Sequence, residues 1–76
     1  MVRWKRIDSG LYQRFNDGKP QNVYIDRVGR MSESGKTLII EGWMFERKFG
    51  ERFEVMGEFW GTLREAKKAL TNVNGE

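Results

Sequence analysis

The chain predicts an α+β domain in which a three- or four-stranded antiparallel meander is followed by one C-terminal helix packed on one face. Three observations carry this. Residues 52–59, "RFEVMGEF", alternate charged and apolar side chains with the period of two that a half-buried strand requires. Thr62-Leu63-Arg64-Glu65 has the form of a capping box, which marks the start of a helix. The apolar runs are separated by "DSG", "NDGKP", "GRMSESGK" and "FGE", clusters of residues that favour turns.

"RWKRI" (3–7) and "LYQRF" (11–15) read as one strand broken at Asp8-Ser9-Gly10 or as two short strands. Asn16-Asp17-Gly18 is a hairpin signal, because these residues tolerate the positive φ of tight turns. "QNVYIDRV" (21–28) follows as a strand with Val23 and Ile25 on one side and Tyr24 and Asp26 on the other, and residues 29–36 read as a polar loop. In "TLIIEGWMFERK" (37–48), Leu38 and Ile40 have one parity and Trp43 and Phe45 the other. A bulge at Gly42 gathers all four on one side; the alternative is a sheet with apolar groups on both faces. On the last strand Phe53, Val55 and Phe59 read as inward and Arg52, Glu54 and Glu58 as outward. Gly57 takes an inward position without a side chain, which predicts close approach by the helix.

In the helix the Thr62 hydroxyl accepts from the Glu65 amide, and the Glu65 carboxylate reaches back to the Thr62 amide. Leu63, Ala66, Leu70 and Val73 fall on one stripe, and small Ala66 and Ala69 let the helix lie close to the sheet. The whole chain, 1–76, reads as one small domain with its sheet over about 2–59 and its helix over about 63–73. One helix covers one face of such a sheet, so function is expected on the other face or in the loops.

With neither cysteine nor histidine, the core rests on Trp4, Trp43, Trp60 and five Phe, or on burial in a homodimer. The cysteine-free composition agrees with a reducing compartment, and Leu38-Ile39-Ile40 is far too short to span a bilayer, so a soluble, cytoplasmic protein is expected. The net charge of +3 is uneven: residues 1–30 carry +4 and residues 31–61 carry −2. A basic first half suits nucleic acid or an acidic partner.

Chemistry leaves little trace. "GRMSESGKT" contains Gly-Lys-Thr, but five residues separate Gly29 from Gly35 and a strand follows, so it is a hairpin loop and not a phosphate-binding loop. There is no His or Cys to act as base, nucleophile or soft-metal ligand, and Ser9, Ser32 and Ser34 lie in turns. Glu41, Glu46, Glu54 and Glu58 alternate with apolar residues as solvent-facing strand positions do. No enzyme activity, cofactor or metal is expected.

"GEFWGTLREAKKAL" (57–70) resembles the close of the plant ethylene-response-factor type DNA-binding domain, through Gly57, Phe59, Thr62, Glu65 and Ala66. In architecture the chain is similar to the arm-binding domains of phage integrases, three antiparallel strands laid in the major groove and backed by one helix. Its ending also resembles those of small uncharacterised phage-encoded proteins. The match covers about the last third of the chain; Trp60-Gly61 stand where the plant domains have one residue.

The resemblance and the basic first half together imply a non-enzymatic DNA-binding accessory protein of phage or mobile-element type that uses the open sheet face. Arg3, Lys5 and Arg6 then neutralise phosphates, while Arg14, Arg27 and Arg47 reach the groove from the strands. Tyr24 and Trp43 supply aromatic surface for nucleic acid or partner binding. The alternative is a protein-interaction module, such as a phage protein that docks on and modulates a host protein. It is favoured by the acids of residues 31–61 and by Trp43 and Trp60. Self-pairing of open faces or strand edges is the third reading.

Overall fold

A computed structural model describes residues 1–75. The elements are β1 (Val2–Asp8), β2 (Leu11–Asn16), β3 (Lys19–Met31), β4 (Leu38–Phe49), β5 (Arg52–Trp60) and α1 (Leu63–Ala69). The five strands form one antiparallel sheet in chain order, so each strand pairs with its sequence neighbour. The α+β architecture is as predicted, but the sheet has five strands, not three or four. The extra strand arises at Asp8-Ser9-Gly10, where Gly10 at φ +70° turns the chain fully and makes β1 and β2 a hairpin. At Asn16–Lys19 the expected tight turn forms through Asp17 and Gly18, both at positive φ.

Register decides which residues share a face. Tyr12 pairs with Ile25, Ile25 with Phe45, Arg27 with Trp43, and Trp43 with Trp60, and these residues face α1. Val23, Ile25, Phe45, Ala66 and Leu70 form the buried core, flanked by Trp4, Tyr12, Trp43, Met56, Trp60, Leu63 and Val73. The three tryptophans thus contribute to the core as expected, but of the five phenylalanines only Phe45 does; Phe15, Phe49, Phe53 and Phe59 do not.

On β5 the predicted inward set is reversed. Phe53 pairs with Lys48, Val55 with Glu46, and Phe59 with Met44, all on the face away from α1, while Met56 and Trp60 pack under the helix. Both parities of β5 carry apolar residues. The helix takes the side of Trp60 because the chain leaves the strand there and folds back directly.

Gly57 and Gly42 exchange the roles expected of them. Gly57 sits at φ +83° with open space where a Cβ would be; it serves the register slip between β4 and β5 and makes no close approach to α1. A Cβ on Gly42 would fall 2.2 Å from the Phe59 ring and 2.5 Å from the Trp60 carbonyl oxygen, so the close approach is there, by β5. The expected irregularity of β4 exists beside Gly42: Val28 pairs with Gly42 but Gly29 with Ile40, leaving Glu41 as the extra residue. Leu38 and Ile40 nevertheless stay exposed, outside the set packed on the core.

Thr62 caps α1, accepting from the Glu65 amide at 3.1 Å, while its hydroxyl donates to Glu65 Oε1 at 3.0 Å. The carboxylate is therefore satisfied by the hydroxyl and not by the Thr62 amide. The helix stops at Ala69 instead of near 73, and Ala69 is exposed; Ala66 alone makes the close contact. Leu70 and Val73 still reach the core from the turn that follows. Among the described residues no helix is long and apolar enough to cross a membrane.

Candidate functional site

The arginines expected on the open face lie on the other one. Arg14, 3% exposed, points beneath the end of α1. Its guanidinium donates to the carbonyls of Leu70, Thr71 (3.3 Å) and Val73 (2.7 Å), and its Nε donates to Gln21 Oε1 at 2.6 Å. These carbonyls belong to the cap residue and the turn that follows α1, so one side chain of β2 ties down the segment after the helix. Burial, and after it the neighbouring charge of Arg47, lower the Arg14 pKa from its ordinary value. Arg47 donates to the Asn22 carbonyl at 3.1 Å and has its guanidinium 5.1 Å from the Phe45 ring centre. Arg27 lies across the β1–β2 turn: a Cβ on Gly10 would meet its side chain at 2.9 Å, and its amide donates to the Gly10 carbonyl at 2.8 Å. Arg6 pairs with Tyr12 at the margin of the same face, and Trp43 meets the Tyr12 ring edge-on at 5.9 Å. Of the residues singled out from the sequence, the open face receives Arg3, Lys5 and Tyr24.

That open face is the candidate site. Leu11, Phe15, Tyr24, Val28 and Met44 run across it to Phe53, Val55 and Phe59 at the β5 edge, the last three 39%, 56% and 55% exposed. Tyr24 is buried, packed edge-on against Phe53 at 4.9 Å, and its hydroxyl accepts from Gln13 Nε2 at 3.1 Å. Lys5 lies over the Phe15 ring at 5.1 Å and Lys48 over the Phe53 ring at 5.6 Å, so the cations of this face cover aromatic surface.

At its centre is a carboxyl pair. Glu46 stands directly across from Tyr24 on β3 and Val55 on β5, and Asp26 is its diagonal neighbour through the Asp26–Met44 pair. Glu46 is 5% exposed, and its Oε1 is buried without a hydrogen-bond partner among the described residues. Burial first, then hydrogen bonding with Asp26 and its negative charge, push the Glu46 carboxyl up to about 7. The sequence assigns Glu46 to solvent, and the structure corrects this. Parity places it away from α1, but the rings beside it enclose it. Once β5 is assigned with Met56 and Trp60 inward, Phe53 and Val55 fall beside Glu46, and that is the signal by which it could have been found.

A surface cleft between the β2–β3 hairpin end and Asn74-Gly75 is lined by mostly exposed residues and holds no buried carboxyl. Among the described residues no cluster of acidic, histidine or cysteine side chains could hold a metal ion. No family model, curated protein or solved structure matches the chain.

Proposed function

We propose that the protein is a small non-enzymatic binding module that docks a protein partner on the open sheet face. The observation that carries this is the exposure of Phe53, Val55 and Phe59 on a face that no element among the described residues covers. Large apolar and aromatic side chains with scattered arginine and lysine are the composition of protein interfaces, and contiguous exposed apolar surface of this kind marks them. Binding of duplex DNA draws less support from the geometry. Arg14, Arg27 and Arg47 serve the segment after α1, a turn and the strand backbone, and Asp26 and Glu46 put acid where phosphate would approach.

Affinity capture from a host-cell lysate, with and without nuclease, tests the reading. A protein retained after nuclease by the wild type, and lost by a Phe53→Ser/Phe59→Ser variant with unchanged circular dichroism, is the expected result. Retention that depends on nucleic acid, together with salt-sensitive duplex binding by fluorescence anisotropy, would replace it with the DNA reading.

A further inference from the structure

We propose that the Asp26–Glu46 carboxyl pair receives a cationic side chain, arginine or lysine, from the protein partner that docks on the open face. The inference rests on the docking reading and adds what that partner must present. Glu46 lies in the middle of the face, almost fully buried, with one oxygen enclosed and unpartnered. A buried acceptor without a donor is destabilising, and packing alone would be served as well by an uncharged side chain of similar volume.

The one hydrogen-bonding neighbour of the Glu46 carboxyl among the described residues is Asp26, itself an acid, and no described lysine or arginine forms an ion pair with either group. From β3 the pair faces Tyr24, whose hydroxyl is joined to Gln13, and from β5 it faces Phe53 and Val55. Lys48, two residues along β4 on the same face, holds its ammonium over the Phe53 ring. The missing cation therefore comes from outside. Asp26 is only half-buried and forms the accessible end of the pair. A guanidinium or ammonium that reaches Asp26 arrives beside Glu46, its diagonal neighbour on the same face. Phe53 and Phe59, exposed beside it, take the apolar stem and offer ring faces to the charge. As the cation seats, the Glu46 carboxyl gives its proton to solvent, so binding is accompanied by proton release.

The test uses a display library of random 12-residue peptides selected against the intact protein at pH 7.5, and in parallel against a Glu46→Gln variant. Peptides enriched on the wild type are expected to carry an arginine or lysine flanked by apolar residues. They should bind Glu46→Gln at least about tenfold more weakly, as truncation of one partner of a buried charge pair does. Calorimetry of the best peptide at pH 7 in phosphate and in Tris, which differ in ionisation enthalpy, should register about half a proton released by the wild type and none by the variant. Peptides that lack a basic residue, or that bind both proteins equally, overturn the inference while leaving the docking face standing. Failure to select any peptide counts against the docking face itself and the inference with it. A wild-type dimer in light scattering that dissociates in Glu46→Gln would make a second copy the occupant and overturn the proposal.

Discussion

Glu46 makes stability depend on pH in an unusual direction, and the dependence can be worked out. Its carboxyl titrates near 7 in the folded protein against about 4.5 in the unfolded chain. Between these values the folded state holds a proton that the unfolded state has lost, so the free energy of unfolding falls as pH rises. The difference of about 2.5 units corresponds to ~3 kcal/mol, fully lost only above pH 7. At most about 2.5 kcal/mol of this falls between pH 5 and pH 8, and relaxation of the Phe53 and Val55 side chains around the ionised carboxylate reduces it, so the expected loss there is roughly 1.5 to 2.5 kcal/mol. With no histidine in the chain, no other side chain ordinarily titrates in this window. Urea unfolding followed by tryptophan fluorescence at pH 5, 6, 7 and 8 gives the midpoints directly. Wild-type midpoints should fall across the series, whereas Glu46→Gln should show a flat profile and exceed the wild type at pH 8. A wild-type profile that is flat, or that rises with pH, would show that the carboxyl is solvated and would remove the premise of a buried acid without a cationic partner.

Arg14→Met keeps the volume of the side chain but leaves the carbonyls of Leu70 and Val73 without their donor. It should destabilise the fold by about 3 kcal/mol, or roughly 12–24 °C in a thermal melt, whereas a loss below about 0.5 kcal/mol would mean that water serves these carbonyls as well. Gly42→Ala drives a methyl group against the Phe59 ring and the Trp60 carbonyl; since the second is backbone, the cost should be about 1–3 kcal/mol by chemical denaturation. Thr62→Ala removes the acceptor for the Glu65 amide and should cost about 1 kcal/mol, with Thr62→Ser restoring most of it.

Local chemistry was easiest to read from the sequence. Thr62 and Glu65 fix the start of α1, Asp17-Gly18 fix a hairpin, and the parities of Val23, Ile25 and Tyr24 hold because β3 pairs on both edges. Face assignment failed where a strand is apolar on both sides. On β5 the longer set, Phe53, Val55 and Phe59, outweighed Met56 and Trp60, and only the return of the chain through Thr62 decides between them. That inversion hid Phe53, Val55 and Phe59 from the candidate site. Arginine on a strand reads alike whether it faces solvent or a carbonyl, and the partner of Arg14 lies more than fifty residues away. Glu46 was misread for the complementary reason, since alternation records parity and not what the neighbouring strands lay beside it.

A meander that pairs every strand with its sequence neighbour can zip together by short loop closures, each needing little chain entropy. Arg14 is the exception, because its bonds to residues 70–73 join the first hairpin to the last turn across the widest sequence separation of any described side-chain hydrogen bond. That contact needs both the sheet and the turn after α1 in place before it can form. Loosening it should therefore act on the lifetime of the folded state more than on the speed of reaching it, which makes one arginine of β2 the kinetic latch of the domain.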